Sequence, residues 1–116
     1  MRVKTVQVAL RDPVYADCIR SLLTKDGRHQ VHLVEMPDVS LDGVIILDSE
    51  RLAQLAAPAK EQQRLVVIAH KERDDLSKIW DAGVRHVTFF GDPPQNLRVV
   101  ILGMELALAA NGIITS

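Results

Sequence analysis

The sequence holds a single cysteine, Cys18, so no disulfide can close within one chain and a reducing, cytoplasmic setting is expected. It lacks an excess of either charge: 14 Lys and Arg stand against 15 Asp and Glu, a formal net charge of −1. Phosphate binding needs a basic excess, so no nucleic-acid partner is expected. Long apolar runs are missing too. The longest, Val99 to Met104, falls well short of the roughly 20 residues that span a bilayer, and Glu105 interrupts its continuation. No membrane partner is expected, and Met1-Arg2-Val3-Lys4 leads into a short strand rather than a signal peptide. Without repeats, low-complexity segments or linkers, residues 1–116 are expected to form one domain, large enough for a core without disulfides or metals. The hydrophobic share of 47% and charged share of 25% suit a globular protein.

Against these absences stands one dense stretch, Asp42-Gly43-Val44-Ile45-Ile46-Leu47-Asp48. Four consecutive aliphatics without polar alternation fit a strand buried on both faces of a parallel sheet. Asp48 then sits at the carboxyl end of a central strand, where open α/β sheets place their chemistry. The plainer alternative is that Asp48 only caps the helix expected next.

The rest of the chain alternates around that strand. Thr5 to Leu10 reads as a first strand, and Asp12-Pro13 opens a helix with a capping residue followed by proline. Tyr15, Cys18, Ile19, Leu22 and Leu23 recur at helical spacing until Gly27, which predicts a buried, inert Cys18. Gln30 to Glu35 reads as a second strand. Only Met36 to Gly43 separates it from Val44, too little for the helical crossover that parallel strands normally need. Glu50 to Ala57 reads as a short helix ended by Pro58, and Arg64 to His70 as another fully apolar strand. Leu76, Ile79 and Trp80 mark a helix closing at Ala82-Gly83, before a strand from Val84 to Phe90. Asp92-Pro93-Pro94-Gln95 has the form of a capping box opening a last helix, which Asn111-Gly112 ends. The alternation predicts an α/β fold: a doubly wound, five-stranded parallel sheet with its second helix reduced or missing.

Three stretches together resemble the receiver domain of two-component response regulators, close to the subgroup fused to helix-turn-helix output domains. Residues 12–23, from Asp12-Pro13-Val14-Tyr15 to Ser21-Leu22-Leu23, resemble that subgroup's first helix. Val44-Ile45-Ile46-Leu47-Asp48 is similar to the strand ending in the phospho-accepting aspartate. Ala82-Gly83 through Phe90, with Gly91-Asp92-Pro93-Pro94 and a leucine-led helix, is similar to the end of the domain. The resemblance implies a flavodoxin-like receiver fold over nearly the whole chain, and a histidine kinase or an output protein as partner.

Receiver chemistry as the resemblance implies it needs an acidic pair and the acceptor aspartate around Mg²⁺, with a hydroxyl and a lysine on the phosphoryl oxygens. Aligned on Pro13, the acidic pair falls on Leu10 and Arg11, the hydroxyl on Ala69 and the lysine on Phe90; only Asp48 remains. A shift of one residue would bring Asp12 into the pair but leave Arg11 beside it. Leu10 cannot ligate a hard cation, Arg11 adds a fixed positive charge, and Phe90 offers a phosphate nothing. The expectation is a degenerate receiver without metal or cofactor, Asp48 unphosphorylated, and Arg11 replacing the metal by pairing with Asp48 or Asp12. Lys71 is expected to stay in solvent.

Other chemistries fit less well. His29 and His32 lie three apart on an expected strand, so they point to opposite faces and make no metal site with His70 and His86. Arg11-Asp12-Pro13 is no phosphate-binding loop, and no helix-turn-helix follows residue 112. A single carboxylate without metal, base or nucleophile partner assembles no enzyme mechanism. The last helix says more. Leu97, Val100, Ile101, Met104 and Leu108 share one side, Val99, Leu102, Leu106 and Ala109 the other, with Arg98 and Glu105 between. Two apolar stripes predict burial against something outside the domain, including a homodimer through Val99, Leu102 and Leu106, extended by Trp80 and Ile113-Ile114. The leading reading is therefore a signalling domain acting by protein–protein contact; the alternative is a small-ligand-binding module using the vacated pocket near Asp48.

Overall fold

The apolar run at Val44–Asp48 is the centre of the sheet. In the computed structural model, which describes residues 4–25, 27–56 and 58–110, ten elements follow one another. They are β1 (Lys4–Ala9), α1 (Pro13–Thr24), β2 (His29–Leu33), β3 (Val44–Asp48), α2 (Ser49–Gln54), a 3₁₀ turn (Pro58–Glu61), β4 (Leu65–Ala69), α3 (Leu76–Asp81), β5 (His86–Phe89) and α4 (Pro94–Ala110). The strands pair in parallel in the order β2-β1-β3-β4-β5, the flavodoxin-like arrangement. β3 and β4 are buried at every position, which is why their sequences show no polar alternation.

Side-chain alternation sorts the core into two layers. Val6, Val8, Val44, Ile46, Val66 and Ile68 meet α1 and α4, the latter through Leu97, Ile101 and Met104. Ala9, Ile45, Leu47, Leu65, Val67 and Ala69 meet α2 and α3 through Leu52 and Ile79.

The expected shortage of helix between β2 and β3 is real: residues 34–43 contain no helix, and two buried polar side chains hold them instead. Gln7 of β1 donates from Nε2 to the Asp38 carbonyl (2.9 Å) and accepts from the Asp38 amide through Oε1 (2.7 Å). That reciprocal pair copies a β-ladder, which lets a glutamine sit 2% exposed in the sheet. Arg64, just before β4, donates to the carbonyls of Val39, Leu41 and Gly43 and, through Nε, to Glu61 (2.8 Å). Gly43 has φ +112°, and a Cβ there would lie 2.2 Å from the Thr5 carbonyl oxygen, so only glycine fits where the loop rejoins the sheet.

Several expectations change. Cys18 is exposed, because the buried stripe of α1 is centred on Ala16, Ile19 and Leu23 and Cys18 falls on its shoulder. Asp92 does not serve as the expected cap: α4 begins at Pro94, and the Asp92 carboxylate accepts from the Phe89 amide (3.2 Å). Glu35 is outside β2, which ends at Leu33. Trp80 is 48% exposed on α3, a helix of the opposite layer from α4. Asn111-Gly112 and Ile113-Ile114 lie outside the described residues. No helix among the described residues is long and apolar enough to cross a membrane.

Candidate functional site

The carboxyl ends of β1, β3 and β4 open onto a cleft of about 360 Å³, lined by Arg11, Asp12, Asp48, Glu50, His70 and Phe90 among others. Asp48 lies at its base. As the last residue of β3 and the N-cap of α2 it has extended backbone, φ −91° and ψ 177°. Its Oδ1 accepts from the Arg51 amide (2.8 Å) and its Oδ2 from the Arg11 amide (2.7 Å). The first bond caps α2; the second ties the end of β1 across to β3. Asp48 is 7% exposed, and two main-chain N–H groups compensate the burial of its carboxylate.

The Arg11 guanidinium does not take the place of a metal beside Asp48. It reaches over the rim to Glu50, with Nη1 at 3.0 Å from each carboxylate oxygen, and the side chain is 73% exposed. The expected pairing with Asp48 or Asp12 is thus corrected: only the Arg11 amide meets Asp48. The reason is that backbone donors already satisfy both nearby carboxylates. Asp12 caps α1 through bonds from the amides of Val14 (2.9 Å) and Tyr15 (3.2 Å).

The remaining positions expected to form the pocket divide between wall and core. Leu10 and Ala69 are buried in the hydrophobic layers, below the cleft surface. Phe90 forms a wall, stacked on His70 (centroids 4.0 Å apart, planes 12° from parallel) and tilted against Tyr15 at 4.7 Å. Burial, helped by Asp92 and Cys18, raises the Tyr15 phenol above its usual pKa. Lys71 stays at the surface, 3.6 Å from Asp92 and 5.3 Å from the Phe89 ring centroid.

A network behind the cleft was not foreseen. Asp74 accepts from the His70 amide (2.7 Å) and the Ser49 hydroxyl (2.7 Å), joining the β4–α3 loop to the start of α2. Burial pushes the Asp74 carboxyl up, but these two bonds and the electrostatic influence of His70 and Arg73 outweigh it and leave the group below the ordinary range.

A second unforeseen group is inside the core. Glu105 of α4 and His29 at the start of β2 meet at 3.0 Å (Oε1 to Nε2), each side chain 3% exposed. The signal was present in the helix register: Glu105 follows Ile101 by four and precedes Leu108 by three, so it belongs to the core-facing stripe. His32, by contrast, is exposed.

Chemically, this is a poor site for Mg²⁺. Leu10 offers no oxygen, Arg11 offers a cation, and both Asp48 oxygens are engaged by amides. Among the described residues no three His, Cys, Asp or Glu side chains are grouped to hold a metal ion. Outside the cleft, the outer side of α4 exposes Val99 (69%), Leu102 (38%) and Leu106 (72%). Compared with known proteins, the chain matches no family model and no curated protein.

Proposed function

We propose that the chain is a receiver-like signalling domain of two-component type that works in the cytoplasm through protein contacts and without phosphorylation of Asp48. The observation that carries the reading is the engagement of both Asp48 oxygens by main-chain amides, at the strand position where the resemblance puts a phospho-acceptor. A phosphoryl group on Oδ2 would have to break the tie to Arg11, and one on Oδ1 the cap of α2. Among the described residues no lysine lines the cleft, and no three His, Cys, Asp or Glu side chains are grouped to hold a compensating metal ion. Asp48 is, in this reading, an element of architecture kept after the chemistry was lost. Incubation with acetyl phosphate and Mg²⁺ followed by mass spectrometry is the test. An unmodified chain is expected; a stoichiometric adduct on Asp48 would overturn the proposal.

The partner in this reading is first a second copy, docked through the outer side of α4. Val99, Leu102 and Leu106 run along about two turns with Gly103 among them, and a Cβ at Gly103 would meet nothing within 4 Å. Burying each aliphatic is worth roughly 1.5–3 kcal/mol, enough for three per subunit to offset part of the entropic cost of docking. Leu102→Glu should turn a dimeric parent into a folded monomer by light scattering, with circular dichroism as the folding control. A monomeric parent at high micromolar concentration would leave the stripe to a kinase or an output protein.

The cleft itself favours the second reading, a small-ligand module, through the flat His70–Phe90 stack that forms its wall. Protection of His70 from chemical modification by a bound ligand would support it.

A further inference from the structure

A cleft larger than the one above Asp48 lies between α2 and α3. It measures about 500 Å³, within the range of roughly 300 to 1,000 Å³ typical of small-molecule sites. Leu52, Leu55 and Ile79 supply its apolar surface, and four charged residues, Arg73, Asp74, Asp75 and Lys78, stand around it.

Those four charges are not equivalent. Both Asp74 oxygens are taken, by the Ser49 hydroxyl and the His70 amide, and Asp75 caps α3 through its bond from the Ser77 amide (2.9 Å). The side chains of the two bases, in contrast, make no hydrogen bond or ion pair among the described residues, and Arg73 acts on Asp74 only through its charge. Both acids are hydrogen-bonded within the fold, and two basic side chains without a bonded partner stand beside the apolar surface.

We infer that the α2–α3 cleft binds a small organic anion with an apolar body, the body lying on Leu52, Leu55 and Ile79 and the anionic head between Arg73 and Lys78. An uncharged apolar molecule would leave the cations unused. A polar anion such as inorganic phosphate would leave the aliphatic surface wet. The class that satisfies both is an apolar carboxylate or sulfonate. The site shares Ser49 and Arg73 with the other cleft, but neither Asp48 nor the outer side of α4 takes part, so it does not rest on the proposal about Asp48.

The test uses two fluorescent probes with the same aromatic body, anilinonaphthalene sulfonate and the uncharged phenylnaphthylamine, titrated into the full chain. The sulfonate is expected to bind saturably, one per chain, at least about tenfold more tightly than its uncharged counterpart, since a charge-assisted bond of this kind is worth about 1.4 kcal/mol or more. The double variant Arg73→Gln, Lys78→Gln should abolish that preference and leave phenylnaphthylamine binding unchanged. Both side chains are exposed, so the fold should survive, with circular dichroism as the check. Decanoate should displace the probe and decanol should not. Equal affinity for the two probes, or no saturable binding, would overturn the inference. So would a loss of sulfonate binding in Leu106→Gln but not in the double variant, because the probe would then sit on α4.

Discussion

Asp48 and Arg64 differ from Glu105 in what holds a buried charge. Asp48 accepts from two main-chain amides, and Arg64 donates to three main-chain carbonyls as well as to Glu61. Glu105 faces one side chain, the imidazole of His29, inside the layer between sheet and helices. The first two use groups that the backbone must place there in any case, because a strand end, a helix start and a loop all carry orphan donors or acceptors. The third depends on a pair of residue identities. A charge bonded to backbone is part of the fold's own hydrogen-bond accounting. A charge bonded to another side chain is a separate arrangement that a single substitution can undo.

The sharpest way to break this contrast is Glu105→Ala. Truncating one member of a buried pair should destabilise by about 3–5 kcal/mol, a large part of the total stability of a domain this size. Replacing both members, His29→Phe with Glu105→Leu, should recover most of the loss in urea denaturation; failure to recover would show that the pair is worth more than an apolar filling.

Arg64→Met should cost less, about 2–3 kcal/mol, since the carbonyls of the 34–43 loop lose their charged donor but can turn to water. Limited proteolysis should then cut within that loop first. Asp48→Ala should cost about 1–2 kcal/mol, the scale of a lost cap and one further amide bond. A loss as large as that for Glu105→Ala would erase the distinction between backbone-held and side-chain-held charges.

The smallest effect is a pH dependence at Asp74, which combines both kinds of partner. Its folded-state pKa is lowered, so its contribution is present above the unfolded value of about 4 and is lost as pH falls through the folded value. Asp74→Asn should therefore flatten the acid limb of thermal stability below about pH 4 and leave the limb near neutrality unchanged in slope.

The parallel α/β sheet was legible because β3 and β4 are apolar throughout and the turns around them carry Gly and Pro at the expected places, while the flavodoxin-like arrangement came only as what the resemblance implied. The missing helix was legible too, from nothing more than the short length of Met36 to Gly43. What replaced it was not: Gln7 and Arg64 look like an ordinary strand polar residue and a strand-flanking base until their partners, 31 and 21 to 25 residues away, are in place. Asp48 was identified correctly as a position, and the plainer of its two readings, a helix cap, is what its geometry shows. Arg11 went astray because its backbone and side chain have different partners, and a sequence shows only the side chain. Cys18 failed for a simpler reason: apolar spacing fixes the direction of a stripe, not its width.

Arg64 also places the crossover in time. Its carbonyl accepts from the Ile45 amide at 2.9 Å, so the residue reaches its working position only when the chain entering β4 has docked beside β3. The loop between β2 and β3 is therefore fastened by a segment that is made after it and that pairs on its far side. Its order should come late in folding, after the central strands have joined. The energy lost in Arg64→Met should accordingly show itself mostly as faster unfolding, with the refolding limb of the chevron barely moved.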